Sequence, residues 1–266
     1  MQAGPPQAEI QVPAPVAEVA GRRPLRAVWE SEVGGLTFEV GTRDERCFVK
    51  WVPASSGIDL SAEVTRLGWA AAFTAVPAVL DHGSDGTGTW MVTAALPGEN
   101  AVTDRWRADP ARAVAAIGQG LRALHDALPV DACPFSWSVE QRRAGAGRRA
   151  ASGDLDPARW HRVHQPLGME RALEALAEAP PIDLLVVCHG DSCAPNTLIA
   201  EDGRCSGHVD LGALGVADRW ADLAVATWST EWNYGPGFEA GLLAAYGIAP
   251  DPERIRYYRL LWDLGP

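Results

Sequence analysis

Hydrophobic and polar residues alternate along much of the sequence between residues 25 and 96, a pattern typical of half-buried strands. The stretches that show it are 25–30, 36–40, 46–51, 78–83 and 88–96. In residues 59–72, by contrast, apolar residues recur at helical spacing, so we expect a helix between the third and fourth strands. The pattern predicts a small antiparallel sheet interrupted by one helix.

The pattern changes at Pro97-Gly98, where strand-like alternation gives way to helical spacing. Helices are predicted over 111–128, over 151–180, after Asp218 and over 252–263. The break divides the chain into two lobes, 21–96 and 97–266. Residues 1–20, rich in Pro, Ala and Gln, are expected to form a flexible tail or a short helix. The predicted fold class is α+β, with a small antiparallel β-sheet lobe followed by a mostly helical lobe.

Polar residues with a common chemistry follow a short apolar run at 184–187. Asp191 lies in the turn after this run, Asn196 comes five residues later, and Asp210 ends a second β-like stretch. Phosphoryl transfer needs an oriented acceptor hydroxyl and a metal ion that neutralises phosphate charge. We therefore interpret Asp191 as the group that takes or orients the hydroxyl proton, and Asn196 and Asp210 as ligands of Mg²⁺. The spacing matches the catalytic loop and the Asp-x-Gly element of protein kinases.

Two other interpretations of this segment stay open. Asp-Gly is ordinary turn chemistry, so the set could be structural. Cysteines and histidines also crowd into the segment, as a zinc site would require: Cys188, His189, Cys193, Cys205 and His208. However, adjacent side chains point to opposite faces of a strand, and no C-x2-C pair is present, which favours buried cysteines that bind no metal.

A single lysine stands among the 23 basic residues, and it lies in the third predicted strand. A lysine in such a place predicts a contact between Lys50 and the α- and β-phosphates of a nucleotide. Glu63 follows on the predicted helix, where it is expected to pair with Lys50 and fix its direction. The alternatives are a lysine placed by chance and an exposed helix charge.

Two further backbone segments are candidates for nucleotide binding. Ser31, Gly34 and Gly35 occupy the first predicted turn, and backbone amides approach phosphates closely where no Cβ intervenes. An ordinary hairpin loop is the alternative. Thr93 to Leu96, at the end of the fifth predicted strand, are expected to pair with adenine through their backbone.

Composition narrows the choice of partners and compartment. The chain is 47% hydrophobic and 21% charged, with a formal charge of −11, so it lacks the basic face that nucleic-acid binding needs. The acidic balance favours a cationic small molecule. Five cysteines without a repeating spacing indicate a reducing compartment, and neither a signal peptide nor a bilayer-spanning run is recognisable. We expect a cytoplasmic monomer that binds no nucleic acid and no membrane.

The chain resembles the aminoglycoside phosphotransferases, antibiotic-resistance kinases with a two-lobed protein-kinase-like fold. The resemblance covers nearly the whole chain from about residue 25 and rests on the segments FVKW, AEVTRLGW, CPF, VVCHGDSCAPNTLI, SGHVDLGALGVADRWADLA, YGI and PERIRYYRLLWD. It implies ATP and Mg²⁺, with 21–96 as nucleotide-binding lobe and 97–266 as catalytic and substrate-binding lobe. It also implies a nucleotide-anchoring pair, Lys50 and Glu63, with Asp191 as catalytic aspartate and Asn196 and Asp210 as Mg²⁺ ligands.

Two departures from the family bear on the substrate. Ala213 stands where members that phosphorylate the 3′-hydroxyl of kanamycin and neomycin usually have arginine, and the chain ends in Trp262-Asp263-Leu264-Gly265-Pro266 without their doubled carboxylate. The ending is more similar to the streptomycin branch of the family, which modifies the 3″-hydroxyl. Glu231 and Asp263 are the expected partners of the guanidinium groups of streptomycin.

Three alternatives to this substrate remain. One is a 3′-phosphotransferase of kanamycin or neomycin, and another is a kinase of a different cationic antibiotic or metabolite. The third is a kinase-like binding module without turnover, against which the complete set of Lys50, Asp191, Asn196 and Asp210 argues.

Overall fold

The computed structural model describes residues 4–31, 33–42 and 45–265. Glu32, Arg43 and Asp44, in the first two predicted turns, lie outside the described residues. The chain divides into two compact units, Met1–Leu96 and Pro97–Pro266.

A five-stranded antiparallel sheet dominates the first unit. Its strands are β1 (Leu25–Glu30), β2 (Leu36–Val40), β3 (Cys47–Pro53), β4 (Val79–Ser84) and β5 (Gly88–Ala94). Their order in the sheet is β1-β2-β3-β5-β4, with every neighbouring pair antiparallel. Along β2, Leu36, Phe38 and Val40 are buried while the residues between them are half-buried. This is the alternation from which the sheet was predicted.

Two helices accompany this sheet, α1 (Ala14–Ala20) and α2 (Ser61–Ala70). Val16 and Ala20 of α1 belong to the same buried cluster as Phe38 and Val49 of the sheet. Of the two expectations for the N-terminal segment, a flexible tail or a short helix, residues 14–20 are therefore an ordered helix. Burial of apolar side chains explains why this part of the segment is ordered.

The second unit contains seven helices and two small sheets among its described residues. The helices are α3 (Asp104–Arg107), α4 (Pro110–Ala127), α5 (Val139–Ser152), α6 (Gly168–Ala177), α7 (Trp220–Tyr234), α8 (Glu239–Tyr246) and α9 (Pro252–Asp263). The strands are β6 (Glu99–Asn100), β7 (Leu185–Cys188), β8 (Thr197–Ile199), β9 (Cys205–His208) and β10 (Gly215–Asp218). The strand order is β6-β8-β9 in one sheet and β10-β7 in the other.

The prediction of helix over 151–180 was wrong for much of that range. The helix α5 ends at Ser152 because Gly153 takes a left-handed conformation with φ of 78°. Prolines then begin two short 3-10 turns, at 157–159 and 165–167, before α6 starts. Proline lacks the backbone N–H that a continuous helix would need at these positions.

The helix α7 forms the centre of the second unit. All eleven residues from Trp220 to Thr230 are buried, so this helix is enclosed on every side. The helix α4 begins with an Asp109 side chain that accepts a hydrogen bond from the Arg112 N–H, followed by Pro110 in the first turn. Within the described ranges, no helix is long and apolar enough to cross a membrane.

Candidate active site

A glycine in the turn after β7 and an aspartate further along the chain both have a left-handed backbone conformation. Gly190 has a positive φ of 85°, and a Cβ there would lie 2.2 Å from the carbonyl oxygen of Ala213. Asp210 also has a positive φ, 63°, and is the one non-glycine residue with this conformation in the described part of the chain. A left-handed conformation is costly for such a residue, and it is often found at functional sites.

A buried carboxylate holds the backbone of this turn. Asp222, at the start of α7, accepts hydrogen bonds from the N–H of His189 at 2.6 Å and of Gly190 at 3.0 Å. It also contacts His125 Nε2 at 2.9 Å, and the Nδ1 of that ring lies 2.9 Å from the Tyr246 hydroxyl. Burial opposes the charge of Asp222, but these hydrogen bonds and the neighbouring histidines outweigh it and lower the pKa of its carboxyl. Asp222 is therefore an anchor of the turn that carries Asp191.

Neither anchor residue was assigned a functional role from the sequence. These residues, Asp222 and His125, are not among the predicted site residues. The sequence feature that could have indicated the role of Asp222 is its position inside an apolar helix, one turn after Asp218. Such a carboxylate, buried with its helix, must find donors elsewhere in the fold.

Three predicted site residues meet beside this turn. The Nδ2 of Asn196 donates to the carbonyl oxygen of Asp191 at 2.9 Å. The His189 ring contacts the backbone on both sides of the site, since its Nδ1 accepts from Asp191 N–H at 3.3 Å and its Nε2 lies 3.0 Å from the Val209 carbonyl. One ring thus links the segment of Asp191 to the residue before Asp210.

The carboxyl of Asp191 is buried and lies near a second carboxylate, that of Asp210. Burial raises its pKa, and the nearby charge of Asp210 raises it further, against opposing hydrogen bonds from Cys193 and Asn196. Its Oδ1 is buried and has no hydrogen-bond partner within the residues that the structure describes. A buried acceptor left unpaired by the protein suits a group that receives a proton from a bound substrate.

The donor set fits a magnesium ion. Carboxylate and amide oxygens are the ligands that Mg²⁺ prefers, and Asp210 and Asn196 offer both. The proximity of two carboxylates, Asp191 and Asp210, disfavours their joint ionisation, and a divalent cation would relieve this repulsion.

Of the five residues of the zinc hypothesis, Cys188 alone belongs to the group of possible metal ligands that lie close together among the described residues. Among the described residues, the ligand atoms that lie within 4.8 Å of one another belong to His125, Cys188 and Asp222. His125 and Asp222 already bond to each other, and Asp222 also bonds to the turn. Burial raises the pKa of Cys188, which keeps the thiol protonated and disfavours metal binding.

The first unit brings Lys50 and Glu63 together. Lys50 lies on β3, and its Nζ donates to Glu63 Oε2 on α2 at 2.8 Å. The carboxylate is buried, whereas the lysine side chain is 28% exposed. The predicted pairing is therefore present, with an ammonium that is held in direction by a buried partner.

The first turn of the sheet is closed by its own serine. Ser31 Oγ accepts from the N–H of Gly35 at 2.8 Å, and the Ser31 carbonyl accepts from Gly34 N–H at 3.1 Å. A Cβ at residue 35 would lie 2.8 Å from the same hydroxyl, which explains the glycine. The structure thus gives Ser31 a role in shaping the turn.

The two predicted adenine-pairing residues lie at the end of the first unit. Thr93, on β5, is paired in register with Phe48 of β3 and with Val79 of β4, so its backbone belongs to the sheet. The carbonyl oxygen of Leu96 accepts from Arg46 Nη2 at 3.4 Å. The segment after β5 is consequently tied to β3 through Arg46.

The predicted substrate carboxylates lie in an aromatic cluster of the second unit. We define this aromatic cluster by its members His161, His164, Trp228, Trp232 and Asp263. Asp263 Oδ2 accepts from His161 N–H at 3.0 Å and lies 2.6 Å from His164 Nδ1. The Trp228 ring is 4.5 Å from His161 and 5.2 Å from Trp232 between ring centroids.

This arrangement modifies the role expected of Asp263. The protein already holds its carboxylate, so a bound cation would have to share it with two donors. Glu231 is half-buried on α7, and its charge acts on His161 of the cluster. Trp232 is 47% exposed, and it is the solvent-facing ring of the cluster. The sequence pattern indicated the acid but not the histidines that hold it.

Known proteins are similar to this chain over most of its length. The sequence profile of the Phosphotransferase enzyme family matches residues 28–258. An aminoglycoside 3′-phosphotransferase from Streptomyces fradiae is 38% identical over 220 residues, which cover 79% of this chain and 81% of the relative. A streptomycin 3″-kinase from Streptomyces griseus is 36% identical over 247 residues, 87% of this chain and 89% of the relative.

A solved structure extends the similarity to three dimensions. The aminoglycoside phosphotransferase APH(3″)-Id from Streptomyces rimosus, in complex with ADP and streptomycin, superposes with a TM-score of 0.69 at 28% identity. The match covers 88% of this chain and 93% of that one. The predicted α+β, kinase-like fold is thereby confirmed. The chain belongs to the aminoglycoside phosphotransferase family, and it is an O-phosphotransferase, that is, a kinase.

Proposed function

We propose that the protein phosphorylates a hydroxyl group of an aminoglycoside antibiotic with ATP, and that its substrate is streptomycin, at the 3″-hydroxyl. The observation that carries the reaction type is the unpaired, buried Oδ1 of Asp191 beside Asn196 and Asp210. The relatives that act on aminoglycosides cover most of the chain, which supports the substrate class.

In the proposed mechanism, each of the predicted residues has one task. The hydroxyl oxygen of the acceptor forms a bond to the γ-phosphorus as the bond from that phosphorus to the ADP oxygen breaks. Asp191 orients the hydroxyl and receives its proton. Asn196 and Asp210 would hold Mg²⁺, which neutralises phosphate charge when bound. Lys50, directed by Glu63, contacts the α- and β-phosphates.

The aromatic cluster supports streptomycin as the acceptor. A planar guanidinium can lie on an exposed aromatic face and can bond to a carboxylate through two parallel N–H groups. Trp232, Glu231 and Asp263 offer these partners in the described part of the second unit. The S. rimosus structure with ADP and streptomycin supports the same choice, because most of its chain superposes on this one.

A second candidate is the 3′-phosphorylation of kanamycin or neomycin. The 38% identity to the S. fradiae 3′-phosphotransferase favours it. Against it stands Asp263 at the end of α9, whose carboxylate is already held by two protein donors. A polycation with several ammonium groups would find fewer partners there.

Substrate profiling tests these proposals. The purified protein is given ATP and Mg²⁺ with streptomycin, kanamycin or neomycin, and with choline as a cationic metabolite. ADP release and the mass of the phosphorylated product are measured, and fragmentation locates the phosphate. We expect phosphorylation of streptomycin at the 3″-hydroxyl, with kanamycin and neomycin poor substrates. Turnover of kanamycin without streptomycin would overturn the substrate, and no turnover with any of them would favour a binding module.

A further inference from the structure

A short 3-10 turn between Asp191 and Asp210 is held by a side chain of α7. The turn, Ala194–Asn196, begins with an N–H that has no partner within the turn, and its next residue, Pro195, has no N–H. The Ala194 N–H donates to the Oγ of Ser229 on α7 at 2.8 Å. Both residues are buried, so the hydroxyl takes the place of water as the partner of this N–H.

The same turn joins the two segments that carry the predicted carboxylates. Asn196 Nδ2 donates to the Asp191 carbonyl at 2.9 Å, and the Asn196 carbonyl accepts from the N–H of Val209 at 3.0 Å. Val209 directly precedes Asp210. With its nitrogen bonded to backbone, the Asn196 amide has its oxygen as the atom that could bind a cation. A displacement of the turn would therefore change the spacing between this amide and both carboxylates.

The hydroxyl of Ser229 is used differently from that of its neighbour Thr230. Thr230 Oγ1 donates to the Thr227 carbonyl of its own helix at 2.7 Å. The Ser229 oxygen accepts from Ala194 of the turn and, at 3.1 Å, from Asn233 Nδ2. The same Nδ2 also donates to the Ser229 carbonyl at 2.8 Å. Asn233 therefore helps to orient the oxygen that holds the turn.

A thiol provides a second contact between Ser229 and the start of the turn. Burial raises the pKa of the Cys193 thiol well above its ordinary range, and hydrogen bonds with Asp191 and Ser229 act on that pKa in opposite directions. The thiol therefore stays protonated and contacts both side chains. Ser229 thus bonds to two successive residues, Cys193 and Ala194, where the turn begins.

We propose that Ser229 is a positioning residue for the metal ligands, because its hydroxyl fixes the turn that places Asn196 against the segments of Asp191 and Asp210. The inference rests on the proposed role of Asn196 and Asp210 as ligands of Mg²⁺. Ser229 acts through the backbone of the turn and not on the reacting atoms. Its loss should therefore weaken the effect of the metal on nucleotide binding while every ligand is still present.

Calorimetry of ADP binding, with and without Mg²⁺, tests this role. Ser229→Ala removes the hydroxyl and Ser229→Thr keeps it, while Thr230→Val, which removes a hydroxyl that bonds within α7, is the matched control. We expect Mg²⁺ to tighten ADP binding to the wild-type protein, and Ser229→Ala to reduce this enhancement by about tenfold. ADP affinity without Mg²⁺ should be nearly unchanged. Ser229→Thr should restore most of the enhancement, and Thr230→Val should retain it.

Initial rates give a second measurement. With streptomycin and kanamycin as acceptors, Ser229→Ala should need more Mg²⁺ for half-maximal rate, whereas KM for the antibiotic should change little. Asn233→Ala removes the donor that orients the Ser229 oxygen, so it should shift the Mg²⁺ dependence in the same direction by less. This variant decides the question if Ser229→Ala does not fold.

The possible results separate the positioning role from the proposed function. A wild-type Mg²⁺ enhancement in both Ser229→Ala and Asn233→Ala would overturn the positioning role and leave the metal role of Asn196 and Asp210 intact. An equal loss of ADP affinity with and without Mg²⁺ would show a purely structural serine and overturn it as well. If the wild-type protein binds ADP equally well with and without Mg²⁺, the metal role itself is contradicted, and the positioning role with it.

Discussion

The turn that carries Asp191 is anchored at the start of α7, and the aromatic cluster lies further along the same helix. The two regions are built differently. The turn is fixed by Asp222, a fully buried carboxylate with two backbone donors and a histidine. The cluster, further along α7, is partly open to solvent, because Trp232 is 47% exposed. One region is held by buried hydrogen bonds to backbone, and the other presents the Trp232 ring to solvent.

The turn requires more precise geometry than the aromatic cluster. The roles predicted for the turn, proton transfer and metal binding, would tolerate small errors of geometry poorly, and the turn is held by an enclosed network. Recognition of a flat cation by ring faces and carboxylates tolerates more variation. We therefore expect substitutions in the turn to change kcat, and substitutions in the cluster to change KM for the antibiotic.

The largest expected effect is that of Asp191→Asn. The variant keeps the shape of the side chain but cannot accept the hydroxyl proton, so kcat should fall by at least about a hundredfold. Nucleotide affinity, measured by calorimetry, should change little because other groups bind the nucleotide. Asp202→Asn, in an exposed turn, is the control. A variant that kept most of its kcat would show that Asp191 is not the base and would remove the contrast between the two regions.

The turn was predictable from the sequence because its chemistry is local. The order of Asp191, Asn196 and Asp210 within twenty residues predicted a shared site, and the structure brings Asn196 and Asp210 close to Asp191. The alternation in β2 and β3 likewise predicted the sheet and the place of Lys50. In each case a short-range pattern fixes which side chains share a face.

The aromatic cluster and the anchor of the turn were not predictable in the same way. Asp263 meets His164, almost a hundred residues earlier, and Asp222 meets His125 at a similar separation. Single-sequence patterns contain no information on such distant contacts. His161 and His164 lie between two 3-10 turns, which interrupt a segment whose composition suggested a continuous helix.

A smaller effect, specific to the nucleotide, is expected at Asp210. Asp210→Ala removes a proposed metal ligand and should raise the KM for Mg²⁺-ATP by about tenfold or more, with a smaller change in antibiotic binding. Alanine is poorly suited to a φ of 63°, whereas asparagine tolerates this conformation. Asp210→Asn is therefore measured beside Asp210→Ala. Initial rates over a range of Mg²⁺ concentrations measure the effect. An unchanged Mg²⁺ dependence in both variants would argue against a metal role for Asp210.

The smallest effect is expected at Asp263. It tests whether the aromatic cluster binds the antibiotic. Asp263→Ala removes a carboxylate that the protein already holds through His161 and His164, so this carboxylate is only partly available to the antibiotic and its loss should weaken binding modestly. We expect KM for streptomycin to rise several-fold, by about 1 kcal/mol of binding free energy, while KM for ATP stays nearly constant. Glu253→Ala, an exposed acid in the first turn of the same helix, is the control.

The alternative outcome for Asp263 is equally informative. A drop in kcat at constant KM would mean that the pair with His164 fixes the end of α9 instead of contacting the substrate. The melting temperature would then fall as well, because an aspartate that is 12% exposed and holds two donors would be lost from the fold. Measuring kcat, both KM values and thermal stability on the same preparation therefore shows whether the aromatic cluster recognises the antibiotic or, like Asp222, serves the structure.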